Sequence, residues 1–266
     1  MTQLNHAQAE ELLDMFADGK LIESVNTSLA LHLVEIAREL GRDALVGRLL
    51  DHAGKVASNS EDQGWCQFEL MKHQGADKDQ LIGLAVASEK EGIPGLAAGI
   101  FHHVSLLTLG SEEAGLFANR SMRLREEAGD LEGMIYGHAL LAHIAKTEED
   151  FERSQLHLEK RLEIIPESEK FEKMEAMADL AHSCSSLGEL EKAQELLIDS
   201  LKIAIEIDEL SGILVARWGL ADLAEISNQP DEAMVQLSDI MTAFMEAGAA
   251  VPEPVRERIS KLTSQQ

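Results

Sequence analysis

The residues of this 266-residue chain with the most scope for chemistry are its histidines, two cysteines and 48 acidic side chains. His102-His103, His138, His143 and His182 form the densest run of potential ligands or bases. A metal site needs several such groups around one ion. Adjacent residues on a helix point apart, so His102 and His103 diverge, and His138 and His143, five apart, diverge as well. The expectation is no metal site: these histidines either hydrogen-bond a ligand or sit in ordinary surface and half-buried places. Cys66 and Cys184 are too few for a disulfide scaffold. The acidic pairs Glu112-Glu113, Glu126-Glu127 and Glu148-Glu149 fall at turns and helix starts, where they favour the helix dipole. No nucleophile motif, phosphate loop, metalloprotease pentad or zinc-cysteine pattern is present. The chain reads as a non-enzyme without a cofactor, and recognition is the chemistry left to it.

Charge says what could be recognised. Twenty-three basic against 48 acidic residues leave a formal charge of −25. Nucleic acid and anionic membrane surfaces are poor partners for such a field, whereas a basic peptide or protein face is steered toward it. The same acid would also serve simply to keep a helix-rich surface soluble. The opening Met1-Thr2-Gln3-Leu4-Asn5-His6 lacks the basic and apolar regions of a signal peptide, and no stretch has the length and apolarity of a membrane span. A soluble cytoplasmic protein is expected.

A repeated phrase shows what must position these groups. Small residues at Ala114, Ser154, Ala193 and Ala233 lie 40, 39 and 40 positions apart. Leu158 and Leu162, Leu197 and Leu201, and Leu237 and Met241 follow the last three at matching distances. A period of this size marks a solenoid of helix pairs. Hydrophobic residues make up 45% of the chain but aromatics only 4%, so aliphatic side chains must pack closely spaced helices.

In the clearest pair a first helix is expected from about residue 173 to 187, with Met177, Leu180, Ala181 and Cys184 buried. Gly188 ends it, and a second helix follows from about 190 to 208. The neighbouring pairs have Glu149 and Asn228 at the corresponding turn. A second echo, Glu91-Gly92-Ile93, Glu132-Gly133-Met134 and Ser211-Gly212-Ile213, is expected to precede the first helix of a pair, with glycine letting the chain reverse.

Leu180-Ala181, Gly188, Ala193 and Leu197 resemble the tetratricopeptide repeat, with a spacing longer than its standard 34 residues. The longer form is similar to that of bacterial regulator and sensor proteins and of cargo-binding adaptors. The resemblance implies an all-α fold, a right-handed α-solenoid of antiparallel helix pairs, with about six pairs plus capping helices. It would form a single array over 1–266: an N-terminal capping helix within 1–23, degenerate repeats over 24–92, clearer repeats over 93–247, and a C-terminal capping helix and tail over 248–266.

In this superfamily the first helix of each pair lines a concave groove. The resemblance therefore implies a partner-binding groove formed by Tyr136, His143, Glu175, His182, Trp218, Asp222 and Glu225, with either His103 or Val104 in the third pair. Tyr136 and Trp218 would anchor a ligand, or else pack between consecutive repeats. Glu175, Asp222 and Glu225 would pair with basic side chains. The leading reading is a protein- or peptide-binding scaffold or adaptor with a concave acidic groove. The alternative is a signalling regulator or peptide sensor acting on a separate catalytic or DNA-binding partner. A third reading is a structural array, a homo-oligomer whose main contact is its own copy.

Overall fold

The computed structural model describes residues 6–20 and 24–264; the segment Met1 to Asn5, weighed above as a leader, lies outside them. It divides into two compact units, Met1–Asp130 and Leu131–Gln266. Fourteen helices account for most of the described residues.

The first unit holds α1 (His6–Ala17), α2 (Thr27–Glu39), α3 (Asp43–Val56), α4 (Ser60–His73), α5 (Lys78–Lys90), α6 (Pro94–Leu107) and α7 (Glu112–Ala128). Leu13, Phe16, Leu33, Val46 and Leu49 gather α1 to α3 around one core, and Phe68, Leu81, Leu96 and Phe101 gather α4 to α7 around another. Asn26, Asn59 and Asp77 cap helix starts with their side chains, and Asp77 and Gln80 complete a capping box.

The second unit holds α8 (Leu131–Thr147), α9 (Phe151–Ile164), α10 (Lys170–Ser186), α11 (Leu190–Glu206), α12 (Leu210–Ile226), α13 (Pro230–Glu246) and α14 (Glu253–Ser264). The helices α8 to α13 form three successive antiparallel pairs. Across the two units α2 to α13 make six pairs, with α1 and α14 at the ends. Leu180, Ala193, Leu197 and Leu220 build the middle core, and Ala221, Leu237, Ile240, Val255 and Leu262 the last one.

The residues that set the period are packing seats. Ala114, Ser154, Ala193 and Ala233 are all buried, since a larger side chain there would hold the paired helices apart. Buried serines stitch neighbouring helices: Ser121 Oγ donates to Ala98 O at 2.8 Å, and Ser200 Oγ donates to Met174 O at 2.9 Å. Each spends its hydroxyl where water cannot reach.

Two expectations about turns are corrected. Gly133 and Gly212 lie inside α8 and α12 rather than before them. A Cβ on Gly212 would run into Met174 and come within 3.1 Å of Ala204 Cβ, so this glycine permits a close helix approach, not a reversal. The left-handed residue before α12 is Asp208, with φ 56°. The second helix, α11, ends at Glu206, two residues before the expected 208, while α10 starts at Lys170, three residues before the expected 173.

Candidate partner-binding face

The face expected to bind a partner is carried in the second unit by α8, α10 and α12, the first helices of its three pairs. Their buried stripes include Ile135, Leu141, Ala142 and Ala145 on α8, Leu180, Ala181 and Cys184 on α10, and Ala216, Leu220 and Ala221 on α12. Side chains between those stripes must turn outward. Tyr136, His143, Glu175, His182 and Glu225 are exposed, and Trp218 and Asp222 are half-buried. In the first unit Val104 is buried and His103 half-buried.

Tyr136 is 49% exposed although its helix neighbour Ile135 is buried. Burial raises its phenol pKa, and Glu172, Glu132 and Glu169 raise it further against the pull of Arg161. The phenol thus lies in a net negative field. Arg161 comes from α9 and is buried; its guanidinium nitrogens lie 3.8 Å from Glu175 Oε2 and 3.7 Å from Asp179 Oδ2. These are ion pairs too long to be hydrogen bonds, and the buried Nε has no hydrogen-bond partner. Burial raises the Glu175 carboxyl above its ordinary value, with Arg161 opposing. His182 lies edge-on to Phe151, ring centroids 6.3 Å apart. Burial lowers its pKa and Lys146 lowers it further, while Asp179 and Asp222 pull it up.

On α12, Trp218 packs against the last core, and Arg258 of α14 lies over its ring, 4.8 Å from the centroid. The same guanidinium sits 2.8 Å from Asp222 Oδ1 and 2.9 Å from Glu225 Oε1. Sequence places Arg258 only within the C-terminal capping helix and tail, and it leaves Arg161 and Asp179 unmarked. One signal is available for Arg258: it belongs to a basic cluster, with Arg256 and Lys261, in a strongly acidic chain.

The described histidines do not gather on one centre. His138 is buried, and its Nδ1 meets Nδ1 of His157 at 3.1 Å, a partner that nothing in the sequence singles out. Burial, His157 and Lys160 hold His138 down to about 4. His103 packs against Phe68 and lines an open cleft with Arg38 and Lys72, both of which pair with the buried Glu69. Among the described residues there is no group of three or more His, Cys, Asp or Glu that could hold a metal ion. Cys66 and Cys184 are both buried, and burial pushes the Cys184 thiol up to about 11. A thiol with that pKa is a poor nucleophile at neutral pH. No described helix is long and apolar enough to cross a membrane.

No family model and no curated relative matches the chain. Solved structures do. The apo form of the quorum sensor NprR from B. thuringiensis is 13% identical, with a TM-score of 0.60 over 97% of this chain and 76% of that one. A signal transduction ATPase with numerous domains from Pyrococcus horikoshii, which carries a tetratricopeptide repeat sensor, is 14% identical, with a TM-score of 0.60 over 98% of this chain. The present chain spans 42% of that protein's length. BtubC from P. vanneervenii is 15% identical, with a TM-score of 0.53 over 94% of this chain and 93% of its own. At such identities the likeness is one of fold.

Proposed function

Because the chain has the tetratricopeptide-like repeat fold, we propose that it is a non-enzymatic binding module that holds a basic peptide or protein segment on the α8, α10 and α12 face of its second unit. The observation that carries this reading is Tyr136. It is the only tyrosine of the chain, it stays about half exposed, and the charges of Glu172, Glu132 and Glu169 act on its phenol. An aromatic ring with a polar tip, in a negative field, suits the stem and charge of a lysine or arginine. Glu175, His143 and His182 extend the same face. The net charge of −25 favours fast encounter with basic segments and disfavours nucleic acid.

The test is capture of partners from a native lysate by the intact chain, by Tyr136→Ala and by Glu175→Lys. Both variants are expected to lose the captured protein while keeping the helical circular-dichroism melt of the parent. Partners retained by both variants would remove this face from consideration.

A second reading, a peptide sensor or regulator acting on a separate catalytic or DNA-binding protein, is favoured by two of the similar structures, which are described as a quorum sensor and a repeat sensor. The two readings separate by response. A sensor changes its hydrodynamic radius when a short peptide binds, and an adaptor forms a lasting complex without that change. Light scattering on the chain alone tests the third reading, self-association.

A further inference from the structure

Arg258 occupies the place a basic ligand side chain would take. Its guanidinium faces the Trp218 ring at 4.8 Å, with Nη2 2.8 Å from Asp222 Oδ1 and Nε donating to Glu225 Oε1 at 2.9 Å. An aromatic face and two carboxylates converging on one planar fork are the components by which proteins recognise arginine. Lysine, a point charge without the fork, would satisfy only part of the set.

The internal occupant leaves the seat open to solvent. Nη2 is buried and reaches only the outer edge of the seat, at Asp222 Oδ1, while Nε alone takes Glu225. Asp222 keeps 47% of its side chain exposed, so the seat can be reached from solvent. The helix carrying Arg258 is held by few anchors: Val255 and Leu262 are buried and Ile259 partly so. It follows residues 247–252, a run of mostly small residues in which 247–250 are exposed and Gly248 is left-handed at φ 67°. It also carries Arg256, Arg258 and Lys261 against Glu253 and Glu257, a basic excess in an acidic chain.

The geometry points to an arginine seat that the protein fills from within: Trp218, Asp222 and Glu225 read an arginine side chain, Arg258 holds the seat in the free protein, and an arginine-bearing partner segment replaces it. The inference rests on the α8, α10 and α12 face being the partner surface, and it names the side chain the partner brings. In the free protein α14 lowers affinity by competing for the seat, which selects against partners lacking arginine.

Trp65 and Trp218 are the only tryptophans, so Trp65→Phe in the full chain isolates the emission of Trp218. The probes are N-acetyl-arginine amide and N-acetyl-lysine amide, titrated into this parent and into the same chain with Arg258→Ala. The vacated seat is expected to bind the arginine probe at least about tenfold more tightly than the parent does, with the lysine probe clearly weaker. Adding Asp222→Asn should abolish the gain. Arg258→Lys keeps a charge and the helix if Arg258→Ala fails to fold, and it should give a smaller gain of the same sign. A folded Arg258→Ala chain that binds arginine no better than the parent, or binds lysine equally well, overturns the seat. That failure leaves the wider face intact if Tyr136→Ala still loses the partner. If Arg258→Ala gains arginine but Tyr136→Ala retains the partner, the face reading falls instead and the replacement by a partner falls with it.

Discussion

Ser154 and Ser183 meet hydroxyl to hydroxyl at 2.9 Å in the buried seam between α9 and α10. Ser154 is one of the four small residues that set the 40-residue rhythm, and the only one of them with a polar atom to satisfy. Ser183, 29 positions away, satisfies it.

Removing one hydroxyl leaves the other unpaired in a dry seam. Ser154→Ala is expected to destabilise the chain by about 1–3 kcal/mol, and Ser154→Ala with Ser183→Ala to recover most of that loss. Urea unfolding of the single and double variants checks it. Additive losses would mean that the hydroxyls act independently.

Ala193 is fully buried where α10 and α11 pack. Ala193→Leu adds volume with nowhere to go, and should cost about 1–3 kcal/mol or more. A leucine at exposed Gln194 or Glu195 should be nearly neutral. Thermal melts of the three variants separate a packing seat from a tolerant surface.

Glu149 holds φ 58° where the best repeat has Gly188 at φ 80°. A left-handed side chain costs about 1–2 kcal/mol, partly offset by the greater freedom glycine has when unfolded. Glu149→Gly is expected to stabilise by up to about 1 kcal/mol, and Asn228→Gly by less because asparagine tolerates φ 56° better. A melting temperature that falls in Glu149→Gly would show that its side chain matters more than its backbone.

His102 and His138 are both held down to about 4, chiefly because burial disfavours the imidazolium; Arg125 and His103 add to this at His102, and His157 and Lys160 at His138. In the unfolded chain both titrate near 6.5. Between those values the unfolded chain binds more protons than the folded one, so stability rises with pH. It is complete above about 6.5 and is lost as pH falls toward 4. The urea midpoint followed from pH 7.5 to 4 should show this slope, and His138→Gln should flatten it. An unchanged slope in His138→Gln would assign the acid sensitivity to other groups.

The helix pairs are legible because their signals are local. Apolar spacing at three and four residues and a turn residue such as Gly188 act within a few residues, so Leu180-Ala181-Cys184 and Ala193-Leu197 mark their helices without knowledge of the rest. Gly212 misleads because its neighbour in space, Met174, is 38 residues away, and a glycine that admits a helix looks in sequence like one that turns a chain. His157 and Arg161 escape for the same reason: their partners His138, Glu175 and Asp179 lie on other helices.

Helical periodicity encodes burial one turn at a time, so the order of residues suffices for the helices, their pairing rhythm, the buried small residues and the outward side chains of the first helices. What those outward side chains meet depends on the packed fold. Trp218, Asp222 and Glu225 read in sequence as an open acidic site, and the fold brings Arg258 onto them from a helix that begins 27 residues after α12 ends. No local pattern specifies a contact across that distance. It arises because Val255 and Leu262 bury against the last core and carry the arginine with them.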